Sequence, residues 1–159
     1  MVDSANGILR RIRQRSPAGF AIALHITYTT PKYLFQAYDL DWLNHYSSQG
    51  YVMNDPTVRW GFANTGAIRW SVLAADDPTG VLEDAAAHGL RYGLTVSVFA
   101  ESSRSIASFA RGDREMTDLD IAALGADAAD LHGITAAAQF VTPELHRTLK
   151  QLSIFLTHS

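Results

Sequence analysis

Two pairs of alternating segments constrain this chain more than any other feature. Phe20, Ile22, Leu24 and Ile26 alternate with Ala21, Ala23, His25 and Thr27, the period of a strand with one apolar face. The strand is read over 20–29. Thr29-Thr30-Pro31-Lys32 supplies a turn, and 33–37 reads as the returning strand of a hairpin. Far downstream, 94–100 and 105–110 alternate in the same way, joined by a polar turn around Ser102-Ser103-Arg104. A short strand carrying Trp70 is read over 67–72. Segments with helical signals lie before, between and after the hairpins. The expected class is therefore α/β in the α+β sense, an antiparallel sheet with helices on its faces.

The helical segments have recognisable ends. Residues 3–15 place Ile8 and Ile12 one turn apart, with Arg10, Arg11, Arg13 and Arg15 around them as a solvated basic face. Ser16-Pro17-Ala18-Gly19 breaks that helix. A short helix follows Pro56, ended by Thr65-Gly66. Asp76-Asp77 before Pro78 reads as a turn and cap for a helix over 81–88, closed by Gly89. Thr117-Asp118-Leu119-Asp120 resembles a capping box and opens an Ala-rich helix to about Phe140, with Gly125 and Gly133 as points of interruption. Thr142-Pro143-Glu144 starts a last helix over 145–156. His25 reads as a half-exposed strand histidine.

Composition narrows the function classes. A length of 159 residues suits one domain with a real core, and the net charge of −3 gives no electrostatic footprint for nucleic acid. The lack of cysteine removes disulfides and thiolate metal sites and fits a cytoplasmic location. No signal-peptide core is present, and no apolar run reaches the ~18 residues of a membrane span. The six histidines, at 25, 45, 88, 132, 146 and 158, form no H-x-x-x-H pair. No nucleophile elbow, Walker loop or dinucleotide fingerprint appears. These absences propose no reaction, no catalytic residue, no cofactor and no metal site. They favour a binding module over an enzyme.

The stretch 38–56 carries the binding chemistry. Asp39 or Asp41 can cap a helix that Gly50 ends, with Trp42 and Tyr46 on one face and Tyr38 on the same line before it. Asp55 follows, before the helix-starting Pro56. Three polar-tipped aromatics thus converge near one acid, and a buried indole N–H or phenol O–H needs a partner. A plain core helix with a capped neighbour remains the alternative.

The joint spacing Tyr38-x3-Trp42-x3-Tyr46-x3-Gly50-Tyr51-x3-Asp55-Pro56, then Trp70, then Gly89-Leu90-x-Tyr92-Gly93-Leu94-Thr95, resembles the autoinducer-binding domain of LuxR-type quorum-sensing regulators. The resemblance runs from about Gly19 to about Gln139. It implies an α-β-α sandwich around a five-stranded antiparallel sheet, with 1–140 as the autoinducer-binding domain. It also implies an N-acyl homoserine lactone as ligand, a homodimer, and DNA binding only through a C-terminal helix-turn-helix domain. Residues 141–159 would be a helix or linker toward that domain, and Val141-Thr142-Pro143-Glu144 resembles its opening. A piece of a longer regulator and a natural short form that dimerises with full-length relatives are both open, as is a sensor for a different small signal.

By the same resemblance, Trp42 donates to the lactone carbonyl, Asp55 accepts from the amide N–H, and Tyr38 donates to the amide carbonyl. Trp70 packs on the lactone ring, and Tyr46 walls the acyl channel. Ser108 completes the polar set, with an inward small strand residue as its alternative; Thr95 carries the same two readings. Leu82, Ala85 and Leu90 line the pocket or are plain helix core. The residue capping the pocket near 73–75 is unassigned.

Overall fold

The computed structural model describes residues 2–138. The helix expected over 145–156 lies outside the described residues. Helix α1 (Val2–Arg15) leads into the hairpin β1 (Gly19–Thr27) and β2 (Thr30–Gln36). Helices α2 (Leu40–Ser48) and α3 (Pro56–Ala63), strand β3 (Gly66–Arg69), helix α4 (Trp70–Leu73) and helix α5 (Val81–Ala87) follow. The second hairpin, β4 (Tyr92–Ala100) and β5 (Ser103–Arg111), precedes the long helix α6 (Asp118–Ala138). The strands form one five-stranded sheet in the order β2-β1-β5-β4-β3, antiparallel throughout.

The two faces of this sheet differ in side-chain size, and that difference organises the molecule. Successive residues of a strand point to opposite faces. On one face Phe20, Ile22, Leu24, Tyr33, Phe35, Leu94, Val96 and Phe109 pack with Ile8 and Ile12 of α1 and Leu124 and Leu131 of α6 in one buried cluster. Each such large side chain contributes on the order of 1.5–3 kcal/mol on burial. The other face carries Ala21, Gly93, Thr95, Ser97, Ser108 and Ala110. Helices α3 and α4 pack on β4 and β5 there. Close approach over Ile106, the large side chain of this face, needs Gly61 of α3, where a Cβ would lie 2.7 Å from Ile106 Cγ2.

Several expectations are corrected. Trp70 is not on a strand. It opens the four-residue helix α4, and β3 ends at Arg69. Gly125 and Gly133 do not interrupt α6; packing of Leu124, Ala128 and Leu131 against the sheet outweighs the ~1 kcal/mol that each helical glycine costs. The second hairpin turns at Glu101-Ser102, both at positive φ, one residue before the expected centre. The basic face of α1 is only partly solvated, since Arg11 pairs with Asp127 and Arg15 with Asp120 of α6.

His25 is buried rather than half-exposed. Register against β5 slips between Ala23 and Ile26, so Leu24 and His25 of β1 oppose Ser105 alone, and His25 takes φ 55 at this bulge. Its ring then reaches Ser103 Oγ at 2.7 Å and Thr135 Oγ1 at 2.9 Å, beside the ring of His132. Three sequence readings of helix ends agree with the structure. Asp77 accepts from the backbone N–H groups of Val81 and Leu82, Thr117 and Asp120 form a reciprocal capping box, and Gly50 follows α2 at φ 64.

Candidate functional site

The second buried cluster lies between the small-residue face and the helices α2 to α5. Trp42, Trp70, Ala85, Leu90 and Ala110 form it, with Tyr38, Tyr46, Tyr51, Leu82 and Ala18 packed against it. Thr95, Ser108 and Asp55 join through hydrogen bonds. Every site residue expected from the sequence is therefore in one connected group.

Helix α2 sets the aromatic side. Asp39 occupies its N-cap position without a side-chain cap bond, so burial of Trp42 rather than capping anchors the helix. The rings of Trp42 and Tyr46 meet edge to face, 5.8 Å apart. The 3-10 turn Tyr51–Met53 brings the Tyr51 ring to 6.2 Å from Trp42. Trp42 is 5% exposed as a residue, and its indole N–H, which donates to no described residue, opens to solvent. Tyr38 precedes α2 and donates to the Ser108 carbonyl oxygen over a long 3.4 Å. It lies against the start of β1, where Gly19 at φ 119 leaves room: a Cβ there would stand 2.6 Å from Tyr38 Cδ1.

Asp55 does two jobs at once. Its Oδ1 accepts from the backbone N–H and the hydroxyl of Thr57, at 2.8 and 2.7 Å, and so caps α3. Its Oδ2 accepts from the Tyr46 hydroxyl at 2.7 Å. A carboxylate oxygen has two lone-pair positions, so Oδ2 retains capacity for a second donor. Burial, with Asp55 alongside, pushes the phenols of Tyr38 and Tyr46 far above their ordinary value. Both are neutral donors at any physiological pH.

Trp70 lies flat on the sheet. Its Nε1 donates to Thr95 Oγ1 at 3.0 Å, and Thr95 Oγ1 is 2.8 Å from Ser108 Oγ. The indole occupies the space above Gly93, where a Cβ would come within 2.0 Å of Trp70 Cδ2. The sequence signature included Gly93 near Thr95 but assigned it no role; it seats the indole.

Sequence reasoning also missed a group at the edge of the site. His45 of α2 and Asp84 of α5 are joined by a 2.6 Å hydrogen bond, and His88 stacks on His45 with ring centroids 5.0 Å apart. The one available signal was Asp84-x3-His88, a spacing that puts both on one helix face.

Residues 18–139 match the family described as the autoinducer binding domain. The transcriptional activator protein SolR of Ralstonia nicotianae is 29% identical over 115 residues, covering 70% of this chain and 49% of that protein. The chain thus spans about half the length of the curated relatives it matches. SdiA in complex with octanoyl-rac-glycerol superposes with a TM-score of 0.60 at 20% identity, covering 89% of this chain and 62% of that one. The N-acylhomoserine lactone dependent LuxR family transcription factor CepR2 from Burkholderia cenocepacia gives 0.54 at 19% identity, covering 86% and 93%. At such identity the structures establish the fold, and the sequence match establishes the family: the chain belongs to the autoinducer-binding domains of LuxR-type regulators.

Proposed function

We propose that this chain is the ligand-sensing part of a transcriptional regulator and that it binds an N-acyl homoserine lactone between the small-residue sheet face and helices α2 to α5. The observation that carries the reading is the Trp42 indole N–H, which lacks a described partner in a largely buried cluster that also holds the Asp55 carboxylate. A ligand with a carbonyl oxygen and an amide N–H complements that pair, and each of its polar atoms needs a partner once it leaves water. Tyr38 supplies a neutral donor for the amide carbonyl, and Thr95 and Ser108 supply hydroxyls beside Trp70. Leu82, Ala85, Leu90 and Tyr46 supply apolar walls for an acyl chain. The reading is of a binding module, with DNA contact left to a separate helix-turn-helix domain and a cytoplasmic site of action. Relatives named as transcriptional activators and lactone-dependent transcription factors support it.

A panel of lactones of graded chain length tests this by thermal shift. A ligand at 100 times its Kd adds ~2.7 kcal/mol, and a panel that leaves the melting temperature unchanged refutes the ligand class. Asp55→Asn tests the polar contact. Asn keeps the cap on Thr57 but replaces a charged acceptor, and the expected loss of affinity is roughly tenfold to a hundredfold. Tyr46→Phe is the control, because it removes the other donor to Oδ2 without changing the carboxylate.

A second reading, a homodimerising module, has an observation of its own. Leu119, Ala122, Ala126, Ala129, Gly133 and Ala137 are exposed along one side of α6. Small side chains let helices approach closely, so this stripe suits contact with a second copy. Sedimentation of the chain, with and without the lactone, measures it. A monomer in both states removes the reading.

A further inference from the structure

His45, Asp84 and His88 come from two helices and meet beside Trp42. The sequence separates His45 from the other two by α3, β3 and α4. In the fold, one ligating atom from each lies within 4.8 Å of the others. None of the three is deeply buried, so water and ions reach them. We propose that these residues form a binding site for a zinc-class divalent cation, clipping α2 to α5 at the edge of the aromatic cluster.

The donor set fits that class of ion. Two imidazoles and one carboxylate are the ligand types zinc takes in tetrahedral sites with one position left to water. Calcium and magnesium want oxygen ligands and are poorly served by two imidazoles. Between His45 and Asp84 the geometry needs little adjustment. His45 Nε2 stands 2.6 Å from Asp84 Oδ2. An ion held at about 2.0–2.1 Å by both in a tetrahedral array would set them roughly 3.3 Å apart, a movement of under about 1 Å.

The supporting bonds also fit. Tyr51 donates to Asp84 Oδ2 at 2.6 Å and orients the carboxylate. His88 Nδ1 donates to the backbone carbonyl oxygen of Asp84 at 2.9 Å and lies 3.5 Å from Asp84 Oδ1, so the ring must turn to present Nε2 to an ion. The bond to the carbonyl fixes the tautomer and leaves the lone pair on Nε2, the arrangement that metal-bound histidines commonly show. His45 presents the cost: the proton that Nε2 now donates to Asp84 must move to Nδ1 as the ion takes the Nε2 lone pair.

The test uses the whole chain, stripped with a chelator and titrated with ZnCl2 in a calorimeter. One equivalent should bind. MgCl2 and CaCl2 should give no binding heat. Loss of an orienting partner typically costs 10–100-fold in metal affinity, so His45→Gln, Asp84→Asn and His88→Gln should each weaken binding by roughly tenfold or more. Cobalt(II) gives a second readout, visible absorption bands from a low-coordinate site in the parent chain that His88→Gln abolishes. Thermal unfolding of each variant without metal, matched to the parent, assigns any loss to the ligand and not to misfolding. A His146→Gln/His158→Gln double variant should bind as the parent does. Absence of zinc uptake, uptake unchanged in both His45→Gln and His88→Gln, or uptake lost only in the His146/His158 variant would each overturn the proposal.

Discussion

Replacing Gly93 by alanine tests whether the sheet face is kept small for the indole of Trp70. A Cβ at this position would stand 2.0, 2.3 and 2.4 Å from Cδ2, Cε2 and Cε3 of Trp70, where ordinary contact begins near 3.4 Å. The backbone at Gly93 is a regular strand with no positive φ, so the conflict is steric and not conformational. Trp70 cannot simply lift away, because its Nε1 is tied to Thr95 at 3.0 Å and the ring is 7% exposed. Overpacking of this kind costs about 1–3 kcal/mol, which lowers the Tm of a domain this size by roughly 3–10 °C. The decisive assay is a double-mutant cycle by chemical denaturation. Trp70→Leu alone loses packing, and adding Gly93→Ala to it should then cost much less than Gly93→Ala costs in the parent. A coupling energy within about 0.5 kcal/mol of zero refutes the argument, since that is the spread expected of independent sites.

Two further outcomes follow from buried polar groups. Thr95→Val keeps the shape but removes the acceptor of the Trp70 N–H and the partner of Ser108, and should cost about 1–3 kcal/mol in denaturant melts; a variant as stable as the parent would show that neither bond contributes. Burial, reinforced by the nearby His132, lowers the pKa of His25 below 6.5, so the unfolded chain binds the proton more tightly. The associated stability is complete above about pH 6.5 and is lost as pH falls through that value toward the depressed folded pKa. His25→Asn, which tolerates the left-handed backbone at φ 55, should flatten the fall in Tm over that window; an unchanged pH profile would refute it.

What the sequence disclosed depended on how local each cause is. The hairpins were legible because alternation at Phe20, Ile22, Leu24 and Ile26 is a property of neighbouring residues. The turn at Glu101-Ser102 was misplaced because neither residue is the glycine or asparagine that usually marks positive φ. Helix α4 escaped because four residues are too few to show a period. The burial of His25 depends on a bulge set against β5, which no single strand reveals. In the site, the aromatic line on α2 was visible from spacing, but the pairing of Tyr46 with Asp55 across the turn that separates α2 from α3 was not. The His45–Asp84–His88 group was less legible still, since its parts meet only after α5 folds back against α2.

The polar groups of the site are largely occupied by one another, and this bears on what a ligand must do to bind. Among the described residues no fully buried side-chain nitrogen or oxygen lacks a partner, and the Trp42 N–H stands free because solvent reaches it. Thr95 already serves Trp70, and Asp55 already serves Tyr46 and Thr57. A bound amide therefore gains little from replacing one of these bonds and much from adding to them. The second lone pair of Asp55 Oδ2 and the unpartnered N–H of Trp42 are the places where addition without loss is available. A ligand that presents one donor and one acceptor at that spacing completes the network at little polar cost, whereas one that lacks the N–H leaves the carboxylate no better satisfied than before. Discrimination among amides, esters and hydrocarbons should thus reside in Asp55 and Trp42, and discrimination by chain length in the apolar walls. The hydrophobic term rises by about 0.8 kcal/mol per buried CH2 until the cluster of Leu82, Ala85 and Leu90 has no more room to give.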